Sequence, residues 1–116
     1  MEFKMMKISK TLKTNGKGFW TSVAKSVKII GLNLRHDEES KYGELQVFFD
    51  TKSWDIIRHG LIYTDELFLK QLRKYLNSLG FNSHDVGYSE QGMQGDNYVS
   101  LDAGPDFIES FKKVGV

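Results

Sequence analysis

The chain contains no cysteine, a single proline and no apolar run long enough to span a bilayer. Each absence excludes something. Without cysteine there is neither a disulfide nor a thiolate metal site. A membrane-crossing helix needs about 18 consecutive apolar residues, so no membrane partner is expected. The one proline, Pro105, and the want of any low-complexity stretch set the chain apart from disordered segments. No phosphate loop ending in Gly-Lys-Ser/Thr occurs, nor GxGxxG, HxH, HExxH or a nucleophile elbow. No metal and no cofactor are therefore expected. The opening "MEFKMMKISK" has lysines but no apolar stretch of the secretory kind, which makes a cytoplasmic location the expectation.

What remains is a chain of 116 residues, enough for one domain over residues 1–116 with a core that needs no staples. Its net charge of +1 conceals an imbalance: residues 1–35 hold seven lysines and Arg35 against Glu2, or 8 − 1 = +7, leaving −6 for the rest. Such a bias suits a nucleic-acid contact, or edge strands whose lysines block aggregation. Arginine is the better fork for phosphate, and none precedes position 35. Nucleic acid is accordingly not the expected partner.

Periodicity supplies the elements. Asn15-Gly16 lies between strand-like segments as a hairpin signal. "FWTSVAKSV" fits either a strand or a short helical turn. "VKIIGLNLR" reads as a strand with Ile30, Leu32 and Leu34 on one face. After the loop "HDEESKYG", "ELQVFFD" returns antiparallel with Leu45, Val47 and Phe49 together and Phe48 facing away. "TKSWDIIRHG" reads as a loop with room for one helical turn. The long helix runs from about 64 to 79, with Thr64 as N-cap, Leu69, Leu72, Leu76 and Leu79 on one stripe, and Gly80 ending it. A short C-terminal helix begins near Asp106 and offers Phe107, Ile108 and Phe111 for docking. The fold class is α+β: a mainly antiparallel sheet with the long helix packed on one face and a short C-terminal helix.

The stretch "GYSEQGMQGDNYVSLDAG" carries the candidate site. Turn residues separate two alternating segments, and loop parity decides which side chains share a face. A two-residue Gly95-Asp96 loop would press Glu90 beside Leu101 on the apolar side, a costly burial. An odd loop avoids it. With three loop residues, Ser89 pairs with Leu101 and Gln91 with Val99. Tyr88, Glu90, Tyr98, Ser100 and Asp102 then occupy the other face, with Asp102 diagonal to Glu90 at roughly 7 Å. Two carboxyls at that separation could hold a cation or act as acid and base on a glycosidic bond. Without a catalytic motif, a surface for a protein or small ligand is the better reading. Trp54 and Tyr63 could join Phe48 on the same face as an apolar patch, or fill a second small core. His36, His59 and His84 lie in loops, where solvated rings are expected.

The runs "GLIYTDELFLKQL" and "YSEQGMQGDNYVSLDAG" give residues from about 43 to 111 a resemblance to small uncharacterised bacterial proteins carried on mobile gene cassettes such as integrons. It implies an accessory role and carries over no catalytic residue. The expectation is non-enzymatic binding of a protein or small ligand through Trp54, Tyr63, Tyr88, Glu90, Tyr98, Ser100 and Asp102, with a homodimer compatible. The alternatives are a carboxylate hydrolase on Glu90 and Asp102, and a nucleic-acid contact through the N-terminal lysines.

Overall fold

The structure, a computed structural model, describes residues 2–14, 25–57, 65–88, 94–95 and 97–114. Among the described residues, six strands and three helices follow in the order β1 (Glu2–Thr14), β2 (Lys25–His36), β3 (Gly43–Phe49), α1 (Thr51–Ile57), α2 (Glu66–Ser78), β4 (Val86–Tyr88), β5 (Gln94–Gly95), β6 (Tyr98–Ala103) and α3 (Pro105–Val114). The sheet runs β1-β2-β3-β6-β4, antiparallel throughout, and β5 adds to β6. The α+β class is as the sequence implies.

One face of this sheet is apolar for a reason visible in the register. Leu34, Leu45 and Leu101 lie side by side across β2, β3 and β6, as do Leu32, Val47 and Val99. All six are buried. The helices pack here. From α2 come Phe68, Leu72 and Leu76, each burial contributing about 1.5–3 kcal/mol before entropy is counted. From α3 come Phe107 and Phe111, which meet Phe81 at ring centroids 5.7 and 5.1 Å away. Among the described residues, no helix is long and apolar enough to cross a membrane.

Local details depart from the expectations in instructive ways. The N-cap of α2 is Asp65, not Thr64: its side chain accepts the Phe68 N–H at 3.0 Å. Gly80 does end the helix, in the left-handed region at φ 96°. The segment read as a loop after β3 forms α1, a full two turns capped by Asp50, whose Oδ1 accepts the Ser53 N–H at 2.8 Å. In β2, Ile30, Leu32 and Leu34 do not share a face. The register against β3 shifts between Ile29 and Gly31, so Ile30 is an extra residue in the strand. Val27 and Ile29 reach the core before the bulge, Leu32 and Leu34 after it, and Ile30 is turned out, 42% exposed. The expected Asn15-Gly16 turn and most of "FWTSVAKSV" lie outside the described residues; β1 and β2 begin pairing at Thr14 and Lys25.

The last ribbon contradicts the odd-loop expectation. Gly95 pairs with Tyr98, so two positions, not an odd number, separate the paired residues, and the second of them, Asn97, is at φ 65°. Further down, Tyr88 pairs with Leu101 and Val86 with Ala103. The registers of the two described segments against β6 differ by four residues, an even shift, and Tyr88 lies with Leu101 on the helix-covered side.

Candidate functional site

The same alternation that buries the leucines fixes what the opposite face carries. Three rows cross β2, β3 and β6 there: Arg35, Glu44 and Asp102; Asn33, Gln46 and Ser100; and Gly31, Phe48 and Tyr98. The described helices lie on the other side, so among the described residues no helix covers these rows, and in that sense they form the uncovered face. Its middle row is unusual for such a position. Asn33, Gln46 and Ser100 are each less than 10% exposed, at 7%, 6% and 4%.

Glu44 organises the face. Its Oε1 accepts the Ser100 hydroxyl at 2.7 Å and the Gln46 Nε2–H at 3.0 Å. Its Oε2 receives Nη1 of Arg35 at 3.4 Å, an ion pair that is about one-third exposed on both sides. Gln46 Oε1 in turn accepts from Asn33 Nδ2 at 2.8 Å. The direction of donation thus runs Asn33 to Gln46 to Glu44, which orients both amides. Asn33 Oδ1, at the far end, is buried without a hydrogen-bond partner among the described residues. Beside this network the Phe48 and Tyr98 rings meet at 5.1 Å and 42°, both half-buried. Asp102 is exposed at the other end and directly across from Glu44.

Of the seven residues expected to form a surface, three come together here: Tyr98, Ser100 and Asp102. Tyr88 does not. Its hydroxyl donates to the Asp65 carbonyl at 2.6 Å, tying β4 to the start of α2. Burial, helped by the nearby Asp65 and Glu66 carboxylates, raises its phenol well above the usual tyrosine value. Trp54 lies in the core against Phe49, 6.4 Å between ring centroids. Tyr63 and Glu90 lie outside the described residues. The carboxyl directly across from Asp102 is that of Glu44, which, with Asn33, Arg35 and Gln46, had gone unread in the sequence. Their signal was the polar half of two alternating strands, "NLR" and "ELQ".

Two other clusters resolve into structural roles. His84, Asp85 and Asp106 bring ligand atoms within 4.8 Å of one another. Both oxygens of Asp85 are occupied, accepting the Asp106 and Phe107 N–H groups at 2.9 and 3.1 Å, and His84 Nε2 is 2.7 Å from Asp106 Oδ2. The arrangement caps α3, and Gly104 permits it, since an added Cβ would collide with the Asp85 carboxyl. His36 is held as well: Nε2 donates to the Ser40 carbonyl at 2.8 Å, which leaves Nδ1 to accept from Lys112 Nζ at 3.1 Å. His84 lies in a turn with its side chain 63% exposed, as expected, whereas His36 is partly buried at the end of β2; His59 lies outside the described residues.

The β1 lysines divide between the two sides of the sheet. Lys10 pairs with the inward-facing Ile29, while Lys7 pairs with Gly31 and Lys13 with Ser26 on the uncovered side. Lys10 sits 5.6 Å from the Tyr75 ring, and the Lys13 N–H is taken by Gln71 Oε1 at 2.8 Å. No protein-family model, curated protein or solved structure matches the chain.

Proposed function

We propose that the protein is a non-enzymatic binding or interaction protein that works through the uncovered face of its sheet. The observation that carries this reading is the buried polar row Asn33, Gln46 and Ser100, bonded around Glu44 on the side the helices leave open. Folding alone gives little reason for it, because apolar side chains of the same shape would leave no buried oxygen unpaired. As a surface it is pre-organised: its amides are oriented, its carboxylate is held, and an aromatic pair flanks it. An accessory role, as the cassette-protein resemblance implies, is compatible with such a surface.

The hydrolase alternative has less support, since three donors engage Glu44, the described carboxyl nearest Asp102 in register. The nucleic-acid alternative needs a continuous lysine stripe, and the β1 register divides its lysines between faces. The test is amide chemical-shift mapping during a ligand and partner screen. The reading expects the largest shifts at Gln46, Ser100, Tyr98 and Asp102. Shifts confined to the helices or the outer edge of β1, or none with any candidate, would remove it.

A further inference from the structure

We infer that the outer edge of β1 takes an acidic strand from another protein, added to the sheet by backbone hydrogen bonds. This surface is distinct from the uncovered face and binds independently of it.

The two edges of the sheet are not alike. At the β4 edge both backbone groups of Val86 are engaged. Its N–H donates to the Ser83 carbonyl at 3.1 Å, and its carbonyl accepts from Nε and Nη2 of Arg73 at 2.9 and 2.6 Å. β4 is also only three residues long. β1 has 13 residues, and among the described residues only β2 pairs with it. At Thr11 its backbone groups point outward. Lys28, opposite Thr11, gives its N–H to Ser53 Oγ at 2.7 Å and accepts the Asp50 N–H at 3.2 Å, continuing the β2–β3 ladder. In an antiparallel pair the facing residue then turns its own groups the opposite way. Two residues on, the outward Lys13 N–H is accepted by Gln71 Oε1 at 2.8 Å. That oxygen stands where a carbonyl of a neighbouring strand would. Nearer the N-terminus, Glu2–Lys7 pairs with β2 without a break, a run as long as an ordinary strand.

Lysines and a bulge commonly guard an open edge, and β1 has both, the bulge lying between Lys7 and Lys10. A lysine guard is selective by sign: it repels another basic edge and attracts an acidic one. The selectivity is strong here because no acidic residue occurs from Phe3 to Arg35, which spans both strands except Glu2 and His36. Lys7, Lys10 and Lys13 are exposed. Lys7 and Lys13 lie on the uncovered side and Lys10 on the other. That division suits a strand, whose own side chains alternate, and not a phosphate backbone, which needs a continuous stripe. Strand addition at a sheet edge draws affinity from main-chain bonds and specificity from the side chains beside them.

Amide shift mapping with hydrogen exchange tests it, using three probes at low salt. They are a peptide repeating Glu-Glu-Thr-Thr, which sets carboxylates on both sides of an extended chain, its Lys-Lys-Thr-Thr counterpart, and oligothymidylate. The glutamate peptide alone is expected to shift the β1 amides, to slow exchange at the outward Thr11 N–H, and to bind more weakly as salt rises. Lys7→Glu/Lys13→Glu, with circular dichroism as the check on folding, should weaken that peptide about tenfold and admit the lysine peptide. If the double variant does not fold, Lys7→Gln is expected to weaken the glutamate peptide, and an unchanged affinity overturns the inference. No β1 shift with the glutamate peptide overturns it as well. So does equal binding of the lysine peptide or oligothymidylate, or binding that leaves the Thr11 exchange unslowed, since no strand has then been added. Shifts at Gln46 and Ser100 instead would belong to the uncovered face and leave β1 without its partner.

Discussion

The two sides of the three central strands share one set of backbone pairings and put them to opposite uses. On the helix side, Leu34, Leu45 and Leu101 make a dry row against α2 and α3. On the other side, one residue along each strand, Arg35, Glu44 and Asp102 make a charged one. The Leu32, Val47 and Val99 row has its counterpart in Asn33, Gln46 and Ser100, which is equally hidden from solvent but polar. The lesson is that burial has different origins on the two faces. On one it is the driving force of folding. On the other it protects a hydrogen-bond network whose members are mutually oriented and whose last oxygen, on Asn33, has no partner among the described residues.

The largest expected effect lies on the helix side. Leu101→Ala removes a side chain that is 1% exposed at the centre of the core, and should cost about 3 kcal/mol in chemical denaturation. Gln46→Leu comes next. It leaves Asn33 Nδ2 buried without its acceptor and takes one donor from Glu44; the expected loss is about 1–3 kcal/mol. A cost near zero would show that water already substitutes for the network and would blur the contrast between the faces.

Smaller effects belong to the joints that hold the helices on their side. Asp50→Ala should cost about 1 kcal/mol by uncapping α1. Hydrogen bonds from Ser53 hold the Asp50 carboxyl below its ordinary value. Its contribution is therefore full above the ordinary carboxylate range and disappears as pH falls through the lowered folded value; the difference between wild type and Asp50→Ala should vanish in acid. Tyr88→Phe removes the bond to the Asp65 carbonyl, for about 1 kcal/mol. Its phenol is raised by burial, so that contribution is complete below the usual tyrosine value and is lost as pH rises above it. Alkaline ultraviolet titration should accordingly find one tyrosine that ionises only with unfolding. Smallest of all, Asp102→Ala should change monomer stability by less than about 0.5 kcal/mol, in contrast to Leu101 beside it.

The helix side was largely legible in the sequence, because its signal is local. The α2 leucines recur at helical spacing, and Leu45, Val47 and Phe49 alternate cleanly. The uncovered face depended on facts that are not local. Glu44 and Gln46 look like any solvent-facing half of a strand until β3 is seen to be flanked by β2 and β6. The Tyr88 side was misjudged because the tip was taken to have an odd number of residues, whereas Gly95 pairs with Tyr98 and Tyr88 with Leu101. The β2 bulge at Ile30 has the same character: one extra residue reverses the alternation, and no residue type announces it. Trp54 was misplaced because the segment holding it folds as a helix rather than a loop.

The central claim is that the polar row serves contact with a partner rather than the stability of the fold. Equilibrium denaturation of the quadruple variant Asn33→Leu/Glu44→Met/Gln46→Leu/Ser100→Ala tests this most directly, because it removes the donors together with the carboxylate that accepts from two of them, while Arg35, one-third exposed, keeps access to water. The account expects the variant to be at least as stable as the wild type. A loss of several kcal/mol would mean that the network holds the sheet together, and the uncovered face would lose its claim to a function.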